Sequence, residues 1–128
     1  MLDAPARRGT AILVVDDDTE VRETLVDAVE STGRPVFSAA NGLQALQLLR
    51  DHIPRPCLVL LDWHMEPVSG EEFLRTLHTW PDAEQIPVVI MSASARRPFE
   101  QRDLRGVVAV MRKPFGIEDI AAVLDEHA

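Results

Sequence analysis

The sequence predicts an α/β fold, a doubly wound parallel sheet with helices on both faces. Three observations predict it. Five short apolar runs are spaced along the chain, each about one strand in length. Their residues are apolar at consecutive rather than alternate positions, as strands covered on both faces require. Between the runs, apolar residues recur at helical spacing, and strands alternating with helices close into a parallel sheet through right-handed crossovers.

The elements follow in order. Ala11-Ile12-Leu13-Val14-Val15 is the first run. After Asp16-Asp17-Asp18, the residues Val21, Leu25, Ala28 and Val29 share one helical face, and Gly33 closes that helix. Asp18, just ahead of Thr19, reads as the helix N-cap rather than as a ligand. Val36-Phe37-Ser38-Ala39 is a second short strand. Asn41-Gly42 opens a helix carrying Leu43, Leu46 and Leu49, which stops before Pro54 and Pro56. Cys57-Leu58-Val59-Leu60-Leu61 is the third strand and stops at Asp62.

Ser69 and Glu72 then have capping-box spacing, and the helix they open would bury Phe73, Leu74, Leu77 and Trp80. Pro87-Val88-Val89-Ile90-Met91 is the fourth strand and ends at Ser92. The stretch from Ala95 to Gly106 is the weakest element, with Arg96, Arg97, Arg102 and Arg105 around Pro98, and only Phe99 and Leu104 as anchors. Val107-Val108-Ala109-Val110-Met111 is the fifth strand, followed by Lys113-Pro114. Ile117, Ile120, Ala121 and Leu124 give a terminal amphipathic helix. Residues 1–10 read as an N-terminal tail and residues 11–128 as one domain.

Composition excludes several classes of function. Thirteen basic residues against twenty-one acidic ones leave a net charge of -8. Nucleic-acid binding relies on Lys and Arg against phosphate, so direct binding of nucleic acid is not expected, nor is an anionic membrane surface. Cys57 is the only cysteine, which rules out an intramolecular disulfide and a thiolate metal cluster. No apolar run approaches the ~18 residues of a membrane span, and MLDAPARRGT has no signal-peptide core. The expectation is a soluble, reduced, cytoplasmic domain. Among the basic residues only Lys113 is a lysine.

In parallel sheets, sites form at the carboxyl ends of the strands. Here the first strand ends in Asp16, Asp17 and Asp18, the third in Asp62, the fourth in Ser92 and the fifth in Lys113. Taken singly, these are an N-cap, solvated loop acids, a strand terminator and a surface lysine. Together, on one edge, they point to chemistry. Converging carboxylates repel one another, and a hard divalent cation such as magnesium relieves this. A lysine and a hydroxyl beside a metal-bound carboxylate can hold a transferring phosphoryl group while the carboxylate attacks phosphorus.

Asp16-Asp17, Asp62 with Met65 and Gly70 beyond it, Ser92-Ala93 and Lys113-Pro114-Phe115 together resemble the receiver domain of two-component response regulators. The resemblance runs from about Ala11 to the C-terminus. It implies a flavodoxin-like sheet in the order 2-1-3-4-5. It also implies that Asp62 accepts a phosphoryl group from a phosphohistidine on a histidine kinase or phosphotransfer protein. Asp17 and Asp62 would give carboxylate oxygens to Mg2+, His64 its backbone carbonyl, and Asp16 a contact through water. Ser92 and Lys113 would each hold a phosphoryl oxygen. The modified domain would then signal by binding a downstream protein.

The chain departs from the family pattern in places. Glu66 stands where the family usually has proline, with Pro67 following, so an altered loop is expected rather than lost chemistry. His64 and Ser94 occupy positions that tune hydrolysis in the family, and His64 reads first as a partly exposed loop imidazole. Val110 replaces the aromatic that many relatives move inward, so conformational output is expected through Arg96, Arg97, Pro98 and Phe99. His52, His78 and His127 read as surface residues, and Trp63 and Trp80 as packing or rim residues.

Other readings are weaker. The chain has little length outside the receiver, so output through surface binding is expected, unless it is the excised receiver of a larger kinase or regulator. A magnesium-dependent aspartyl-phosphate phosphohydrolase of the haloacid dehalogenase type needs a D-x-D-x-[TV] loop, which Asp16 to Glu20 do not supply. A flavin or nucleotide domain needs a glycine-rich loop after the first strand, where three aspartates stand instead.

Overall fold

Consecutive apolar residues in the central strands divide between two faces, and both faces are filled. A computed structural model describes residues 10–51, 56–81, 86–93 and 105–128. In chain order the elements are β1 (Ile12–Val15), α1 (Thr19–Glu30), β2 (Val36–Ala39), α2 (Gly42–Asp51), β3 (Leu58–Asp62), α3 (Gly70–Leu77), β4 (Val88–Ser92), β5 (Val107–Arg112) and α4 (Ile117–His127). The strands are parallel and lie in the order β2-β1-β3-β4-β5, as the receiver resemblance implies.

Alternation along the strands sorts the core. Leu13, Val15, Val59, Leu61, Val88 and Ile90 face α2 and α3, packing with Ala45, Leu49, Phe73, Leu74 and Leu77. Ile12, Val14, Leu58, Leu60, Val89 and Met91 face α1 and α4, packing with Leu25, Val29, Ile120 and Leu124. Every residue of β1, β3 and β4 is buried, the condition that makes them read as unbroken apolar runs. β5 lies at the sheet edge, where Val108 and Val110 are exposed. Its register with β4 slips after Val88, so that Val107 pairs with Val88 and Ala109 with Val89, leaving Val108 as the extra residue.

Helix ends follow local chemistry. Asp18 accepts the Val21 amide at 3.1 Å and caps α1, as its position predicts. Gly33, with φ of 85°, turns the chain out of the segment after α1, in a conformation that a side chain resists. Ser69 and Glu72 make a reciprocal capping box on α3.

Some expectations are corrected at the edges. Asp62 and Ser92 belong to their strands rather than following them. Leu43 and Ile117 do not join the core: each stands in the first turn of its helix and is about 60% exposed (60% and 61%). The face of α2 that is buried runs instead through Gly42, Ala45, Leu46 and Leu49. The arginine-rich stretch from 94 to 104, including Ser94, Arg96, Arg97, Pro98 and Phe99, lies outside the described residues, as do residues 1–9 and His52.

Candidate functional site

Parallel pairing carries the ends of β1, β3, β4 and β5 to one edge. Beyond the last β1 pairing, the Asp16 amide still bonds to the Ala39 carbonyl at 3.2 Å, which holds Asp16 at the end of the sheet. The Trp63 amide bonds to the Met91 carbonyl and the Lys113 amide to the Ser92 carbonyl, at 2.9 and 2.8 Å. The ladder thus places Lys113 beside Ser92 and across β4 from Asp62.

Among the described residues, the buried polar or charged side chains are Asp16, Asp62 and Ser92, and all three stand at this edge. Buried polar groups cost free energy unless they are paired, so a cluster of them marks a place built for something other than packing. Lys113 supplies the pairing. Its ammonium donates to Asp16 Oδ2 at 3.1 Å and to Asp62 Oδ1 at 3.3 Å. Asp16 Oδ1 accepts the Asp18 amide at 2.9 Å, and Asp62 Oδ1 also accepts the His64 amide at 3.3 Å.

Asp17 completes the group from the exposed side. Asp16, Asp17 and Asp62 each offer a carboxylate oxygen within 4.8 Å of the others. One lysine against three carboxylates leaves the cluster short of positive charge. Burial, followed by the neighbouring Asp16 charge, pushes Asp62 up from 3.8 to about 6 against the opposing pull of Lys113. For Lys113, burial works to lower the pKa, but Asp16 and then Asp62 outweigh it and the net shift is upward. An oxygen-only donor set of this kind fits a hard divalent cation.

Gly70 is part of this site for a steric reason. A Cβ there would lie 2.7 Å from the Asp62 carbonyl oxygen and 2.8 Å from the Trp63 Cα, both backbone atoms. The start of α3 therefore presses directly on the strand end that carries Asp62, and the Gly70 amide bonds to the Trp63 carbonyl at 3.0 Å.

These distances bring together Asp16, Asp17, Asp62 and Lys113 as the sequence suggests, with Ser92 buried on the adjoining strand. His64 is exposed, with its amide turned to Asp62. Trp63 is buried in the core on the α2–α3 face, which makes it a packing residue rather than a rim residue. His78 is not a plain surface residue: half-buried after α3, its Nε2 lies 2.7 Å from the Arg105 carbonyl. Arg22 has no counterpart in the sequence reading. Its guanidinium donates to the Asp16 carbonyl at 2.8 Å, and an arginine in the first turns of a helix gives no signal that sets it apart from a solvated one.

The pattern of the response regulator receiver domain matches residues 12–125. This chain belongs to that family. Sporulation initiation phosphotransferase F of Bacillus subtilis is 37% identical over 118 residues, covering 91% of each chain. The phosphate regulon transcriptional regulatory protein PhoB of Pseudomonas aeruginosa is 32% identical over 117 residues, and there the chain spans 50% of the longer relative. Among solved structures, the response regulator TrrA of Thermotoga maritima in complex with Mg(2+)-BeF has a TM-score of 0.80 at 22% identity, covering 94% of this chain and 100% of that one. The receiver is thus a component of two-component or phosphorelay signalling, with the fold that such relatives share.

Proposed function

We propose that Asp62 of this receiver, within a unit spanning residues 11–128, takes a phosphoryl group from a phosphohistidine of a histidine kinase or phosphotransfer protein. The observation that carries this reading is the single lysine bonded at once to Asp16 and Asp62, with Asp17 alongside. It supports the reading by gathering three carboxylates and one ammonium within a few ångströms. Among the described residues Asp62 Oδ2 accepts no hydrogen bond, so a lone pair is available for attack.

In the transfer, an Asp62 oxygen forms a bond to phosphorus as the bond from phosphorus to the imidazole nitrogen breaks. The electron pair stays on the imidazole, which takes up a proton. Asp17, Asp62, the His64 carbonyl and, through water, Asp16 would hold Mg2+, whose charge would supply neutralisation of phosphoryl oxygens and relief of the carboxylate repulsion. On this reading Lys113 would exchange its bond to Asp62 for one to a phosphoryl oxygen, and Ser92 would donate its hydroxyl to another. The chemistry is that of an acceptor that assists its own modification rather than that of an enzyme acting on a separate substrate. Output then passes to a downstream protein by binding.

Two comparisons support the reading: the relative from Bacillus subtilis is named a phosphotransferase, and the Thermotoga maritima regulator was solved with magnesium and a beryllium fluoride group. Among the described residues no helix is long and apolar enough to cross a membrane; the domain is proposed to act in the cytoplasm, where its kinase or phosphotransfer partner would meet it. Incubation with acetyl phosphate and magnesium should add one phosphoryl group by intact mass. Asp62→Asn should accept none; modification of that variant to the same extent would remove Asp62 from the role.

A further inference from the structure

We infer that Arg22 is a positioning residue for the magnesium ligand Asp17, an inference that rests on the metal reading above. Asp17 is the ligand with the least to hold it. Among the described residues its carboxylate has no hydrogen bond or ion pair, and it lies on the exposed side of the cluster. Its place within 4.8 Å of Asp16 and Asp62 is therefore set by the backbone on either side.

Downstream, that backbone is held by Asp18, whose carboxylate caps α1 and whose amide bonds to Asp16 Oδ1. Upstream, the carbonyl of the Asp16–Asp17 peptide is held by the Arg22 guanidinium at 2.8 Å. Arg22 itself rides on α1, its amide bonded to the Asp18 carbonyl at 2.9 Å. The loop is thus clamped between its own cap and one arginine. Releasing that peptide would let the carbonyl turn and carry the Asp17 side chain away from the other two acids.

Two effects of Arg22 oppose each other, which makes the inference testable. As a nearby positive charge, Arg22 weakens binding of a cation, so its removal by charge alone would tighten magnesium binding. As a clamp it strengthens binding, and outer partners of metal ligands are commonly worth about ten- to a hundredfold in affinity. The clamp predicts that Arg22→Met, which keeps the stem and loses the donor, weakens magnesium affinity about tenfold.

The test is a magnesium titration of wild type and Arg22→Met, followed by tryptophan fluorescence and by thermal shift. Acetyl phosphate labelling is measured across the same magnesium range. The expected result is a tenfold higher magnesium requirement with a much smaller fall in the maximal labelling rate. If Arg22→Met does not fold, Arg22→Lys keeps the charge with a shorter reach and should weaken affinity in the same direction. Unchanged or tighter magnesium binding in the folded variant overturns the inference. Failure of the wild type to bind magnesium instead overturns the metal reading beneath it.

Discussion

Replacing Asp62 with asparagine should stabilise the metal-free protein while abolishing its function. Asp62 is raised from 3.8 to about 6 by burial and by the charge of Asp16, after the attraction of Lys113 has been counted. A carboxyl group whose folded pKa is raised favours folding most when protonated. That contribution is full below pH 3.8, is lost as the pH rises towards 6, and is absent above it. The shift is about two units, and each unit is worth about 1.4 kcal/mol, so the ionised Asp62 costs the metal-free fold about 3 kcal/mol at neutral pH.

An uncharged amide of the same shape removes most of that cost. Urea or thermal unfolding in EDTA at pH 7.5 should show Asp62→Asn more stable by about 2–3 kcal/mol, a rise in Tm of about 10 °C for a domain of this size. The difference should shrink as the pH falls from 6 and vanish below 3.8, where the wild-type carboxyl is protonated in both states. Millimolar magnesium should close the gap from the other side, by stabilising the wild type more than the variant. An asparagine variant no more stable than wild type at pH 7.5 in EDTA would refute the claim that this carboxylate is held at a cost.

Two further perturbations probe the same edge. Lys113→Met leaves the fully buried Asp16 and the nearly buried Asp62 without their shared counter-charge and should destabilise the protein by about 3–5 kcal/mol in urea unfolding. The lysine is raised from 10.5, so its contribution is full below that value and is lost only as the pH rises through the higher folded value; the wild-type advantage should persist throughout the neutral range. Gly70→Ala brings a Cβ to 2.7 Å from the Asp62 carbonyl and should cost about 1–3 kcal/mol. It should also slow acetyl phosphate labelling, because the backbone that must yield carries the acceptor.

Much of this architecture can be read in the sequence because parallel strands buried on both faces leave continuous apolar runs, and a polar residue ending such a run is conspicuous. Asp16, Asp62, Ser92 and Lys113 are visible for that reason. The Asp18 cap and the Ser69–Glu72 box are visible because capping chemistry is local. What escapes the sequence depends on how far each element projects past the sheet. Leu43 and Ile117 have the right period, yet stand exposed in the first turns of their helices. His78 gains its carbonyl partner from residue 105, a contact no local pattern encodes.

Gly70 stands out as a motif residue, but its reason is the approach of α3 to the backbone of Asp62 and Trp63. Arg22 is silent in sequence because its partner is a main-chain carbonyl, which leaves no side-chain signature. Residue type reveals the charges of the site, while the packing that aims them becomes visible only in three dimensions.

The carboxylate bonded to Lys113 is the proposed phosphoryl acceptor. Borohydride reduction of protein labelled with phosphoramidate and magnesium, followed by peptide mass mapping, tests it most directly. One aspartyl phosphate should be reduced, at Asp62, with none formed when magnesium is removed by EDTA. Reduction at Asp16 or Asp17 instead, or labelling at Asp62 that proceeds equally in EDTA, would contradict it.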